Sequence, residues 1–272
     1  MHAAQRLFAH PRKLAIALGA LAATGFEPLG LWPLALAALA LQIELVARAE
    51  KARDAFLLGW LFGAAHFITG LNWIVTAFGY QAAMPGWMGW IAEAGLSLYL
   101  AVWPGLAMMA AWRIARGNRN ALALAMAGCW IIGEWLRGWV FTGFPWNPLG
   151  AMTLISDADA HLAYLAKGLG TYALSGLVML LAGAWLLAVH RDRRDWRGAV
   201  LLIAPIALFL IPTAPTVQQQ GTLPYTLVQP DARQDDLHDP ARFEPTFQRA
   251  MGLSQANTRG QTRVVLWPES AL

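Results

Sequence analysis

The chain has 272 residues, 57% of them hydrophobic and only 13% charged, with a net charge of +4. Water-exposed domains usually carry about 25% charged residues, so this composition excludes an ordinary soluble globule. The cations lie in small groups between apolar runs, with no basic patch of interleaved aromatics, which argues against nucleic acid as a partner. The single cysteine, Cys129, excludes an intrachain disulfide and any CxxC metal site. No metal and no other cofactor is expected.

Seven apolar segments follow one another at about 14–26, 30–47, 55–78, 87–112, 121–136, 169–189 and 198–212. Several reach the ~20 residues with which a helix crosses about 30 Å of hydrocarbon. The fourteen tryptophans suit the two membrane–water interfaces, where amphipathic indoles collect. Arg6, Arg12 and Lys13 ahead of Leu14–Thr24 also fit a cleavable signal peptide. A second apolar run follows at once and no A-x-A-like site closes the first, so an uncleaved helix is expected.

Alternate loops carry the cations: Arg6, Arg12 and Lys13; Arg48, Lys51 and Arg53; Arg113, Arg116 and Arg119; Arg191, Arg193, Arg194 and Arg197. The opposite loops, up to residue 212, hold only Arg137 and Lys167. The positive-inside rule then places the N-terminus in the cytoplasm and the C-terminal segment outside, which in a Gram-negative cell is the periplasm. The fold class expected is mainly α: a polytopic membrane helix bundle of about seven spans over 1–212, in the inner membrane.

Composition changes after Ile211. Pro212, Pro215 and Gln218-Gln219-Gln220-Gly221 read as a linker. Tyr225–Gln229 reads as a short strand, 243–258 as a helix, and Arg263–Trp267 as a second strand whose near-continuous apolar character suits cover on both faces. Strand, helix, strand opens an α/β layer fold. Residues 213–272 are too few to complete one, since the sheet would keep bare edges.

Glu269 follows the second strand directly, after Pro268 stops the ladder. A carboxylate there is held rigidly at the rim of a sheet and suits general-base work, although a solvated Glu at a strand exit has the same sequence. Glu134 and Arg137 are spaced i, i+3 on a predicted helix and can pair at its outer end. They read either as a neutralised interfacial anchor or as the floor of a lipid entrance shaped with Phe144, Pro145 and Trp146. Glu93 lies within the fourth segment and is expected to face the bundle or reach its rim. His66 and Asn72 read as interhelical hydrogen-bond partners, and Gly59-x-x-x-Gly63 as a site of close helix packing.

Several motifs carry a resemblance. They are Phe26-Glu27-Pro28-Leu29-Gly30-Leu31-Trp32-Pro33, Gly59-Trp60-Leu61-Phe62-Gly63 with Gly70-Leu71-Asn72-Trp73, and Glu134-Trp135-Leu136-Arg137-Gly138-Trp139 with Thr142-Gly143-Phe144-Pro145-Trp146. Val228-Gln229 and Val265-Leu266-Trp267-Pro268-Glu269-Ser270-Ala271 complete the series. In this order they resemble the apolipoprotein N-acyltransferases of Gram-negative bacteria. The resemblance implies an integral membrane enzyme with a periplasmic domain of the nitrilase type. Its acyl donor would be a phospholipid, and its acceptor the free α-amine of the diacylglyceryl-cysteine of an apolipoprotein. It implies a ping-pong route through a cysteine thioester, with Glu, Lys and Cys as base, oxyanion support and nucleophile.

Glu269 matches the family's Glu, and Trp267 and His238 fall near it in the pattern as substrate-contacting candidates. The sequence departs from the family in four places. His238 stands where a Trp is common, Gln229-Pro230-Asp231 replaces a glycine-containing turn, and both the Lys and Cys and the last membrane helix expected downstream have no counterpart here. Cys129, within a membrane span, does not stand in for that Cys. The chain is therefore expected to be inactive alone: cut short, completed by a second polypeptide, or a remnant. The alternative is a non-catalytic membrane scaffold or lipid-binding partner subunit.

Overall fold

The computed structural model describes residues 8–79, 85–154, 162–192, 194–210, 221, 223–232, 239–255 and 262–268. The described residues up to 210 form one compact unit and those from 221 onward another.

The first unit is helical. Its elements are α1 (Pro11–Ala23), α2 (Trp32–Ala47), α3 (Ala52–Gly70), α4 (Trp73–Gly79), α5 (Trp87–Leu100), α6 (Val102–Ala115), α7 (Arg119–Arg137), α8 (Thr171–Val189) and α9 (Trp196–Leu210). Local chemistry sets several of the ends. Proline occupies the first turn of α1 and of α2, where its missing N–H costs nothing. The Asn118 side chain accepts from the backbone N–H of Asn120 and Ala121 at 2.9 and 3.1 Å and so caps α7. Arg116 and Gly117, at φ of +48° and +83°, stop α6 in the left-handed region. Residues 87–115 run almost continuously; the interruption at Ala101 lies where Pro104 has no N–H for the carbonyl of Leu100.

Among the described residues, two helices are long and apolar enough to cross a membrane: Trp87–Ala115, formed by α5 and α6, and Thr171–Val189. The pair α3 and α4, bent by 48° between Gly70 and Trp73, makes a third if it counts as one span. α2 and α9 are apolar but shorter. α7 has the length, with 19 residues, but carries Glu134 and Arg137. Helix length and apolarity thus support up to three spans where the sequence pattern suggested seven.

α3 packs against α1 and α6, α6 against α7, and α7 against α8, while α2 lies against α1 and α8. Leu36, Leu39 and Ile43 of α2 meet Phe62 of α3, Met108 of α6, Met126 and Trp130 of α7, and Val178 and Met179 of α8 in one core. Glycine brings the helices close. A Cβ on Gly59 would lie 2.8 Å from the Pro104 carbonyl oxygen, and one on Gly63 would lie 3.1 Å from the Ala101 Cα. The Gly59-x-x-x-Gly63 face therefore abuts the backbone of α6, as its spacing suggested.

In the second unit β1 (Tyr225–Leu227) pairs in parallel with β2 (Val264–Leu266), with Tyr225 opposite Val264 and Leu227 opposite Leu266. α10 (Pro240–Gln255) lies between them in sequence. It starts three residues before the expected boundary because Asp239 Oδ1 accepts from the Ala241 N–H at 3.0 Å and Pro240 opens the first turn. After β1 the left-handed residue is Asp231, at φ +51°, beside Pro230. An Asp tolerates that conformation, so the turn forms without the glycine.

Candidate functional site

The two strands run the same way, so their carboxyl ends share one edge, and ligands of open α/β sheets bind outside such edges. The ladder extends at that edge through the Val228 N–H, which donates to the Leu266 carbonyl at 2.9 Å. Trp267 follows immediately. Its indole Nε1 donates to Ser254 Oγ at 2.8 Å, and its ring meets Phe247 edge-on at 6.1 Å. Ser254 Oγ in turn donates to the Ala250 carbonyl, and Arg263 Nη2 donates to the Ser254 carbonyl at 2.7 Å. α10 thereby fixes both the entry to β2 and its exit. Trp267 faces α10 and acts as a strut. Glu269 and His238 lie outside the described residues.

In the helical unit Glu134 and Arg137 are both buried, 5% and 2% exposed, which does not suit an anchor in the interface. They do not form an ion pair with each other. Glu134 Oε1 accepts from Trp130 Nε1 at 2.9 Å and from the Leu149 N–H at 2.7 Å. Arg137 Nη1 donates to the Trp146 carbonyl at 2.7 Å, with the guanidinium over the Phe67 ring at 5.0 Å. The i, i+3 spacing puts both on one side of α7, but each spends its charge on the loop that follows.

That loop doubles back on α7. The Phe144 N–H donates to the Arg137 carbonyl at 2.9 Å, and Gly143 turns the chain at φ +78°, where a Cβ would collide with the Gly138 carbonyl. Asn147 Nδ2 donates to the Gly70 carbonyl at 3.2 Å, linking the loop to the bend between α3 and α4. Gly150 N–H donates to Ser175 Oγ of α8 at 2.8 Å. Phe144 packs beside Phe67, Leu71 and Leu100, whereas Pro145 and Trp146 are exposed, with Trp146 edge-on to Trp73 at 5.6 Å. The result is a rigid aromatic ledge, able to rest against apolar ligand or lipid.

Sequence reasoning missed Trp130, Asn147, Leu149 and Ser175 as supports of this ledge. Only the polar character of Asn147 and Ser175 in apolar surroundings could have pointed to them. Glu93 is buried and accepts from Ser97 Oγ at 3.0 Å within its own helix. His66 is buried among Phe26, Phe62 and Phe67 rings and is hydrogen-bonded to the backbone of Gly19 in α1, the interhelical partnership its sequence setting suggested, while its Nδ1 has no hydrogen-bond partner among the described residues. Asn72 is exposed. Cys129 is a free, half-buried thiol on α7. No cluster of three or more metal-ligating side chains occurs among the described residues.

Residues 18–184, which include the whole ledge, match the model of the apolipoprotein N-acyltransferase N-terminal domain. The chain belongs to the apolipoprotein N-acyltransferase family. Among similar proteins, the apolipoprotein N-acyltransferase of Caulobacter vibrioides is 33% identical over 267 residues, 95% of this chain and 49% of the relative. That of Ralstonia nicotianae is 34% identical over 203 residues, 74% of this chain and 38% of the relative. That of Vibrio vulnificus is 31% identical over 264 residues, 94% and 49% respectively. The chain spans about half the length of the curated relatives it matches.

Proposed function

We propose that these residues form the membrane half, and the opening of the periplasmic nitrilase-type domain, of a phospholipid:apolipoprotein N-acyltransferase. The family match over residues 18–184 carries this reading. In it, α1, α2, α3 with α4, α5 with α6, α7, α8 and α9 make seven crossings of the inner membrane. The cation-bearing loops lie in the cytoplasm with the N-terminus, and the unit of β1, α10 and β2 lies in the periplasm.

A cysteine thiolate attacks the ester carbonyl of the phospholipid, expelling a lysophospholipid and leaving a thioester. The α-amine of diacylglyceryl-cysteine then opens the thioester, forming the amide and returning the thiol. Glu269 takes the thiol proton and passes it to the departing oxygen, then takes the amine proton and returns it to sulfur. The nucleophilic Cys and a Lys supporting the oxyanion would come from protein outside these residues, on the same or a second polypeptide. Phe144, Pro145 and Trp146, held by Glu134 and Arg137, would meet the phospholipid at the membrane surface. Trp267 and His238 would contact substrate near Glu269.

The test supplies native membranes, which hold the protein together with whatever polypeptide carries the Cys and Lys, with a phospholipid labelled in its acyl chain and a diacylglyceryl peptide with a free α-amine. Labelled N-acyl peptide is expected, through a labelled acyl-enzyme that Glu269→Gln fails to form. No labelled peptide from the native protein refutes the function. Acyl-enzyme in the Glu269→Gln variant removes Glu269 from its role as base.

A further inference from the structure

At the end of the helical unit away from the aromatic ledge, four side chains from three helices and their caps converge. Glu44 of α2, only 5% exposed in its side chain, accepts from Arg48 Nε at 2.7 Å and from Arg119 Nε and Nη2 at 3.0 and 3.1 Å. His190, at the end of α8, donates from Nε2 to Glu44 Oε2 at 3.0 Å. One carboxylate thus holds two guanidiniums and an imidazole. Tying the helix ends together would need only one cation for neutrality, so the cluster carries excess positive charge. Arg48 is its most exposed member: the side chain is 48% exposed, its only side-chain hydrogen bond to a described residue uses Nε, and its guanidinium lies over the Phe8 ring at 4.1 Å, which leaves the Nη groups for a headgroup.

Three members of the cluster, Glu44, Arg48 and His190, line an apolar cleft of about 500 Å³. Ala37, Ala40 and Leu41 of α2 form one wall, and Trp185 and Val189 of α8 with Leu202 of α9 form the other. The two alanines make the trough between bulkier neighbours. The Trp185 indole is pinned by donation from Nε1 to the Leu202 carbonyl at 3.0 Å, so that wall is preformed. Val189 and Leu202 are 79% and 48% exposed, which leaves apolar surface beside fixed cations. From Ala37 to Glu44 the cleft follows two turns of α2, about 10 Å. Its volume falls in the range of roughly 300–1,000 Å³ that suits a small ligand.

We propose that this cleft binds an acidic phospholipid, the anionic headgroup on Arg48 and one acyl chain along Ala37, Leu41 and Trp185. Charge complementarity selects the occupant: Arg119 already neutralises Glu44 through two hydrogen bonds, which leaves Arg48 as the cleft's cation to meet the headgroup, and the trough meets hydrocarbon. Arg119 of the cluster starts α7 and Arg137, which holds the ledge at Phe144–Trp146, ends it, so the two sites are separate. It does not depend on the acyl-transfer reading.

The test is native mass spectrometry of the detergent-purified protein, delipidated and offered palmitoyl-oleoyl phosphatidylglycerol and phosphatidylcholine in equal amounts. One unbalanced cation at a membrane surface predicts about fivefold more phosphatidylglycerol retained. Arg48→Gln brings the ratio of the two lipids to about one, whereas Leu41→Trp, which fills the trough and keeps every charge, lowers retention of both. Arg191→Gln, a cation outside the cleft, leaves both unchanged. Equal retention of the two lipids by the native protein overturns the proposal, as does a preference that survives Arg48→Gln or retention that survives Leu41→Trp.

Discussion

In the helical unit the polar groups are inside: Glu134, Arg137, Glu93 and Ser175 are all nearly buried. In the strand-containing unit much of the strands' apolar surface is outside, with Leu227, Val264 and Leu266 68%, 40% and 48% exposed, while Val228 and Ala250 are buried. The contrast follows from where each element finds its hydrogen bonds. A helix satisfies its backbone internally, so its apolar face can point to lipid while rare polar side chains turn inward to one another. A strand needs neighbours for its backbone and layers for its faces, and a two-stranded pair has few of either. Stability in the first unit should thus rest on buried polar contacts, and in the second on a few contacts between α10 and the strand ends.

Arg137→Ala should separate the two regions most sharply. It strips a charged donor from the Trp146 carbonyl and leaves buried polar groups unpaired, for a loss of about 3 kcal/mol in the helical unit. Hydrogen exchange in detergent should show faster exchange across α7 and α8 and none of that change in α10; equal acceleration in α10 would mean that the units are coupled. Gly59→Val should follow, because its side chain would strike the Pro104 carbonyl; about 1–3 kcal/mol is expected, read as a lower unfolding temperature. A variant as stable as the native protein would show that α3 and α6 can part.

Trp267→Phe should act only on the second unit. It keeps an aromatic ring against Phe247 but loses the bond to Ser254, a change of about 1 kcal/mol visible as faster proteolysis within 225–268. The smallest effect belongs to Asp195, at the start of α9. Its carboxyl lies below the ordinary Asp range because it accepts from the Arg197 N–H and then from Arg191 Nη1, each at 3.0 Å. A carboxylate whose pKa falls on folding stabilises the turn above the unfolded pKa and ceases to as pH drops through the folded one. Protection of the Arg197 amide, taken relative to its intrinsic exchange rate at each pH, should therefore fall in acid, and Asp195→Asn should lower it already at neutral pH. An unaltered pH profile in that variant would exclude the cap.

Much of the helical order was legible beforehand because an apolar run marks a helix within a short window of chain. The end of the 121–136 segment shows where legibility stopped. Glu134 and Arg137 read as a pair from their spacing, yet they bind Trp130, Leu149 and Trp146, and the loop containing the last two is folded by contacts with Gly70 and Ser175. Trp267 was readable as a neighbour of Glu269, but not as the partner of Ser254.

By itself the sequence determined the apolar segments, the glycine face of α3, the strand–helix–strand order and the family motifs. These depend on periodicity, on local backbone preference and on residue identity, all of which are present in a short window of chain. Only the tertiary structure decided which buried charge meets which group. It joined Glu44 to Arg119 and His190, residues more than seventy positions away, and turned Glu134 and Arg137 toward the loop instead of toward each other. Such contacts arise when separate helices pack, because a buried charge takes the donor or acceptor that the neighbouring helix and loop bring within about 3 Å.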